Sequence, residues 1–65
     1  MVEYSNNAIR EIVNDIIHSK RDREVLLLRW IDGFTYEQIA ECCDLSVRQV
    51  KNIVYKAQDK VFSRI

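Results

Sequence analysis

Gly33-Phe34-Thr35-Tyr36-Glu37-Gln38-Ile39-Ala40-Glu41 and, beyond Cys42-Cys43-Asp44, Leu45-Ser46-Val47-Arg48-Gln49-Val50-Lys51 form the stretch on which the fold turns. Twice in it a hydroxyl residue is followed three positions later by glutamine, Thr35 by Gln38 and Ser46 by Gln49. At that spacing the hydroxyl accepts a backbone N–H of the first helical turn while the carboxamide reaches back to the cap, so each pair marks a helix start. A short helix over 36–43 and a long one over 47–63 follow, joined by Asp44-Leu45-Ser46. A connection this short lets two helices cross steeply and leaves the second standing outward. The crossing needs a small residue where the helices meet, and Ala40 fits; Ile39, Cys43, Leu45, Val50 and Ile53 fall at the offsets that would lock the pair. The turn needs a residue that tolerates positive φ, a place glycine fills most easily and Asp44 occupies here at some cost.

Upstream, Ile9, Ile12, Val13, Ile16 and Ile17 repeat at helical spacing and predict a helix over 7–19, with Ser5, Asn6 and Asn7 as N-cap candidates. The cluster His18-Ser19-Lys20-Arg21 is expected to end it with cations at the negative end of the helix dipole. A second helix is expected over 22–32. Its Val25-Leu26-Leu27-Leu28 run with Trp30 and Ile31 is apolar on most sides, which suits the middle of a bundle, and Gly33 stops it in a left-handed conformation. Trp30 and Phe34 read as core. The fourth helix keeps Val50, Ile53, Val54, Ala57 and Val61 on one side, and Val61, Phe62 and Ile65 extend that seam toward either the first helix or an interface. The expected fold is all-α, a four-helix bundle containing a helix-turn-helix.

The 65 residues hold one domain at most and bury about 60% of their unfolded surface. The absence of proline and the single glycine favour long helices over turn-rich folds. No apolar run approaches a membrane span and the first residues lack a signal-peptide core, so a cytoplasmic protein with no membrane partner is expected, and Met1 suggests a complete small chain. Cys42 and Cys43 are adjacent, too poorly directed on a helix for a disulfide, and the single histidine, His18, lies far back, so no metal and no cofactor is expected. One cysteine reads as core filler and the other as surface. No glycine-rich phosphate loop or nucleophile–base arrangement is visible, which argues against an enzyme.

Net charge is zero, but its distribution is uneven. Residues 1–45 carry five cations and nine carboxylates, a net of −4; residues 46–65 carry five cations and one carboxylate, a net of +4. Phosphate binding responds to that local potential. The outward face of the last helix would hold Val47, Arg48, Gln49, Lys51, Asn52, Tyr55 and Lys56, a set suited to the major groove of double-stranded DNA. Arg and Lys reach guanine edges or phosphates, Asn and Gln can pair with adenine, and Val47 can touch a thymine methyl. Ser46 opens the turn expected to enter deepest, and Thr35 and Tyr36, at a helix N-terminus, are placed to meet a phosphate.

Arg23-Glu24-Val25-Leu26-Leu27-Leu28-Arg29-Trp30, Gly33 through Glu41, and Leu45 through Lys51 together resemble region 4 of bacterial sigma-70-type factors, the extracytoplasmic-function class above all. Ser46 through Asn52 is also similar, more distantly, to the DNA-binding domain of LuxR-type regulators. The resemblance runs from about Arg21 to Val61 and divides a single domain over 1–65 into an N-terminal helix over 1–20 and a region 4-like part over 21–61. It implies a last helix that reads a −35 promoter element through Arg48, Gln49, Lys51 and Asn52, and docking on RNA polymerase at the flap of the β subunit. Two positions depart from the family's pattern: Asp44 stands at the usual turn glycine, and Asn52-Ile53-Val54-Tyr55 replaces a more basic stretch. The chain has no room for the region that melts the −10 element. The expected function is therefore a DNA-binding transcription regulator of bacterial or phage type, with RNA polymerase as a second partner and a homodimer through the C-terminal helix left open. The alternative is a protein-interaction module of the same fold that binds polymerase or another protein without specific DNA contact.

Overall fold

Ser5 starts the first helix, its Oγ accepting the N–H of Ala8 at 3.1 Å. The computed structural model describes residues 5–63 and contains, in chain order, α1 Asn6–Ile16, α2 Lys20–Trp30, α3 Tyr36–Cys43 and α4 Val47–Ser63. There is no strand among the described residues, and the all-α helix-turn-helix architecture is as expected. No helix among them is long and apolar enough to cross a membrane.

The boundary between α1 and α2 differs from the sequence reading. α1 stops at Ile16, and Ile17 has extended backbone (φ −95°, ψ 114°) while its side chain stays in the core. The cause is Ser19, which caps the next helix: its Oγ accepts the N–H of Asp22 at 3.3 Å. Lys20 and Arg21 therefore open α2 instead of closing α1. Cations in a first turn oppose the helix dipole, and Asp22 offsets them there, pairing with Arg21 at 3.2 Å. His18 is exposed in the connection rather than the last turn of a helix.

α2 ends at Trp30, two residues earlier than expected. The N–H groups of Ile31 and Asp32 both return to the Leu27 carbonyl, and that of Phe34 to Leu28 at 3.0 Å. Gly33 takes φ 73° between them, as expected. A Cβ there would meet nothing within 4 Å, so glycine is needed for its backbone angle and not for space. Arg29 ties the loop to the helix by donating from Nη1 to the Phe34 carbonyl at 2.9 Å.

α3 and α4 have the expected bounds and both capping boxes form. Thr35 Oγ1 accepts from the Gln38 N–H at 3.1 Å while Gln38 Oε1 accepts from the Thr35 N–H at 2.9 Å. Ser46 and Gln49 repeat the exchange at the same two distances. Between the helices Asp44 sits at φ 57°, ψ 47°, and the N–H groups of Asp44 and Leu45 both return to the Ala40 carbonyl, that of Leu45 at 2.8 Å.

The core draws on all four helices: Ile9 and Val13 from α1, Val25 and Leu26 from α2, Ile39 and Ala40 from α3, and Val50, Val54 and Ala57 from α4, with Ile17 between α1 and α2. No polar side chain is buried among the described residues. α2 packs on each of the other three helices, whereas α1 and α3 do not meet. That central place explains why α2 has no single apolar stripe: Leu27, Leu28, Trp30 and Ile31 also pack against the core. Cys43 packs against the core and Cys42 is exposed, the division expected for the pair. Burial, reinforced by Cys42 and Glu24, pushes the Cys43 thiol up and keeps it protonated at neutral pH. At the far end of α4, Val61 is buried, and Phe62 meets the Trp30 ring of α2 edge-on, with centroids 5.3 Å apart. Ile65 lies outside the described residues.

Candidate nucleic-acid interface

The buried residues of α4, Val50, Val54, Ala57 and Val61, recur every three or four positions and fix which side of the helix faces out. Arg48, Gln49, Lys51, Asn52, Tyr55 and Lys56 are all exposed on the remaining surface, Tyr55 at 55%. Ser46 and Thr35 are exposed as well. Val47 departs from the expected outward placement. It falls on the Val50 and Val54 side of the helix, is half-buried and packs against the core.

Tyr36, at the first position of α3, joins the two helices of the motif. It is half-buried, its ring stands edge-on to Tyr55 with centroids 6.3 Å apart, and Lys51 Nζ lies 5.8 Å from its centroid. The opposite contribution comes from α2: the Arg29 guanidinium sits 4.4 Å from the same ring centroid. Two cations and two phenols thus meet where the N-terminus of α3 approaches the middle of α4. Hydrogen bonding with the Tyr36 side chain, then its charge when ionised, pushes the Tyr55 phenol up.

Arg29 was not among the residues picked out from the sequence. The signal for it was present: it is the only charged residue between Val25 and Ile31. A charged side chain on a helix packed on several sides must carry its head out to the surface along an apolar stem.

The capping boxes restrict what the two helix starts can offer. The Thr35 N–H is taken by Gln38 and the Ser46 N–H by Gln49. At α3 this leaves the N–H groups of Tyr36 and Glu37 for an outside acceptor, beside the exposed Glu37 carboxylate, which opposes an anion. At α4 the first turn has no acid, and Asp59 is the single carboxylate of the helix. Further along, Lys56 and Lys60 share with Arg21 of α2 a groove of about 300 Å³ over Ile17, Ile53 and Ala57.

A capped helix crossing a second one at a tight left-handed turn, with amides and cations on the exposed side of the second, defines a helix-turn-helix domain of the DNA-binding class. The sequence matches the family model for sigma-70, region 4, over residues 19–60, and the chain belongs to that family. The match begins at the residue that caps α2 and takes in α2, α3 and most of α4, leaving α1 outside it. No curated protein and no solved structure matches the chain.

Proposed function

We propose that this chain is a DNA-binding transcription regulator that reads duplex DNA with α4 and makes a second contact to RNA polymerase. The observation that carries the reading is the outward side of α4. Arg48, Lys51, Asn52 and Lys56 are exposed along it and no carboxylate precedes Asp59. Arg48, Gln49, Lys51 and Asn52 face base edges or phosphates, and Thr35, Tyr36, Ser46, Tyr55 and Lys56 flank them as phosphate contacts. Val47, packed on the core, contributes at most its edge to a thymine methyl. With about five phosphate contacts, affinity is modest and falls steeply with salt. A second contact supplies the missing affinity, whether to polymerase or through a second copy.

The decisive experiment is gel retardation of short duplex DNA at low salt by the wild-type chain and by Arg48→Ala combined with Lys51→Ala. Both residues are exposed, so the double variant is expected to keep its helical circular dichroism and to lose retardation. A folded double variant that retards DNA like wild type removes α4 as the reading helix. A specific observation favours a second reading: Glu37, Glu41 and Asp44 leave α3 and its turn with an exposed acidic side. A protein-interaction module that contacts polymerase without reading DNA would use that side. Stoichiometric capture of polymerase from DNA-free lysate, with no duplex retained at low salt, selects it.

A further inference from the structure

The cap that opens α4 decides what its first turn can read. Gln49 is exposed, yet its carboxamide oxygen accepts the Ser46 N–H at 2.9 Å while the Gln49 N–H donates to Ser46 Oγ at 3.1 Å. A glutamine pairs two-pronged with adenine by accepting from N6 and donating to N7. Here the oxygen is held by backbone, and turning it outward would give up the reciprocal cap that opens α4. What remains for a ligand is the amino group, a donor only. Arg48 and Lys51, exposed beside it, are also donors without acceptors, and no carboxylate follows on α4 until Asp59.

We infer that Gln49 is a donor-only specificity residue, and that the first turn of α4 selects base edges rich in acceptors, the O6 and N7 of guanine or the O4 of thymine. Adenine offers N7 but sets its N6 amino group beside it, and cytosine presents an amino group that meets no acceptor in this turn. The inference rests on the proposed reading of DNA by α4. Asn52, exposed one turn further along, keeps both donor and acceptor and takes an adenine at a separate position.

The test is selection of bound duplexes from a randomised library by the full chain, as wild type, Gln49→Ala and Gln49→Glu. Glutamate keeps the capping-box spacing while exchanging donors for acceptors, so it separates reading from folding, and circular dichroism checks both variants. Wild type is expected to enrich guanine or thymine at one position. Gln49→Ala should weaken that preference about fivefold, the worth of one hydrogen bond. Gln49→Glu should abolish it or turn it toward cytosine, whose N4 donates to a carboxylate. An adenine preference lost in Gln49→Ala, a selected sequence unchanged in both variants, or a wild-type pool with no preference overturns the inference while DNA binding by α4 stands. Retention of no duplex by wild type at low salt overturns the reading beneath it as well.

Discussion

Gly33 and Asp44 both hold positive φ, at 73° and 57°, Asp44 as the C-cap of α3 and Gly33 in the turn that follows α2. Only one of them is the residue that backbone sterics prefer. Asp tolerates the left-handed region better than most side chains but still carries a Cβ that crowds the following carbonyl. Asp44→Gly should therefore stabilise the domain by about 0.5–1 kcal/mol, and Gly33→Ala should destabilise it by about 1–2 kcal/mol despite open space around the new methyl. Thermal denaturation followed by circular dichroism checks both, since about 1 kcal/mol moves the midpoint of a domain this size by about 4–8 °C. A Gly33→Ala variant as stable as wild type would show that the angle at Gly33 carries no cost. Positive φ at both positions was legible because a helix that stops within a few residues of the next has few ways to close. The use of Arg29 was not, because its target ring lies on another helix.

Helix starts, more than hydrophobic periodicity, set the elements of this chain. Three of them, Ser19, Thr35 and Ser46, are hydroxyl residues whose position three further on is Asp22, Gln38 or Gln49. The two glutamine pairs were read correctly and form reciprocal bonds. Ser19 instead reads as part of the end of the first helix and Asp22 as the start of the second, because cations at His18, Lys20 and Arg21 suit a C-terminus and the apolar stripe of α1 continues to Ile17. Local capping prevailed: an N–H orphaned at the start of α2 costs more than moving exposed cations to the less favourable end of a helix. Ser19→Ala should consequently destabilise the domain by about 1 kcal/mol, as a lost N-cap does. Urea titration measures it, and a shift no larger than that of an alanine exchange at exposed Gln58 would return Ser19 to a mere linker.

At the scale of the whole molecule, α1 lies outside the stretch that matches the sigma-70 region 4 family, yet it closes the bundle. Ile9, Val13 and Ile17 share one buried cluster with Val25, Leu26, Val54 and Ala57. A domain this small has little stability to spare. A chain of residues 19–65 should accordingly lose its cooperative thermal transition, with residual helix but no sharp midpoint. A truncated chain that melts as sharply and as high as the full one would make α1 an appendage. The same closure sets the charge asymmetry in space. The acidic α3 side and the basic α4 side belong to one small body, so zero net charge does not prevent a strong local potential.

Where the helices of the motif begin, where they must bend, and which side of α4 turns inward were determined by the sequence alone, because capping, positive φ and a 3.6-residue repeat act between neighbours along the chain. Tertiary structure alone decided that Ile17 serves the core without belonging to a helix, and that Arg29 from α2 reaches the Tyr36–Tyr55 pair. These depend on how separate helices cross, and packing across a bundle joins residues whose relation no local spacing records.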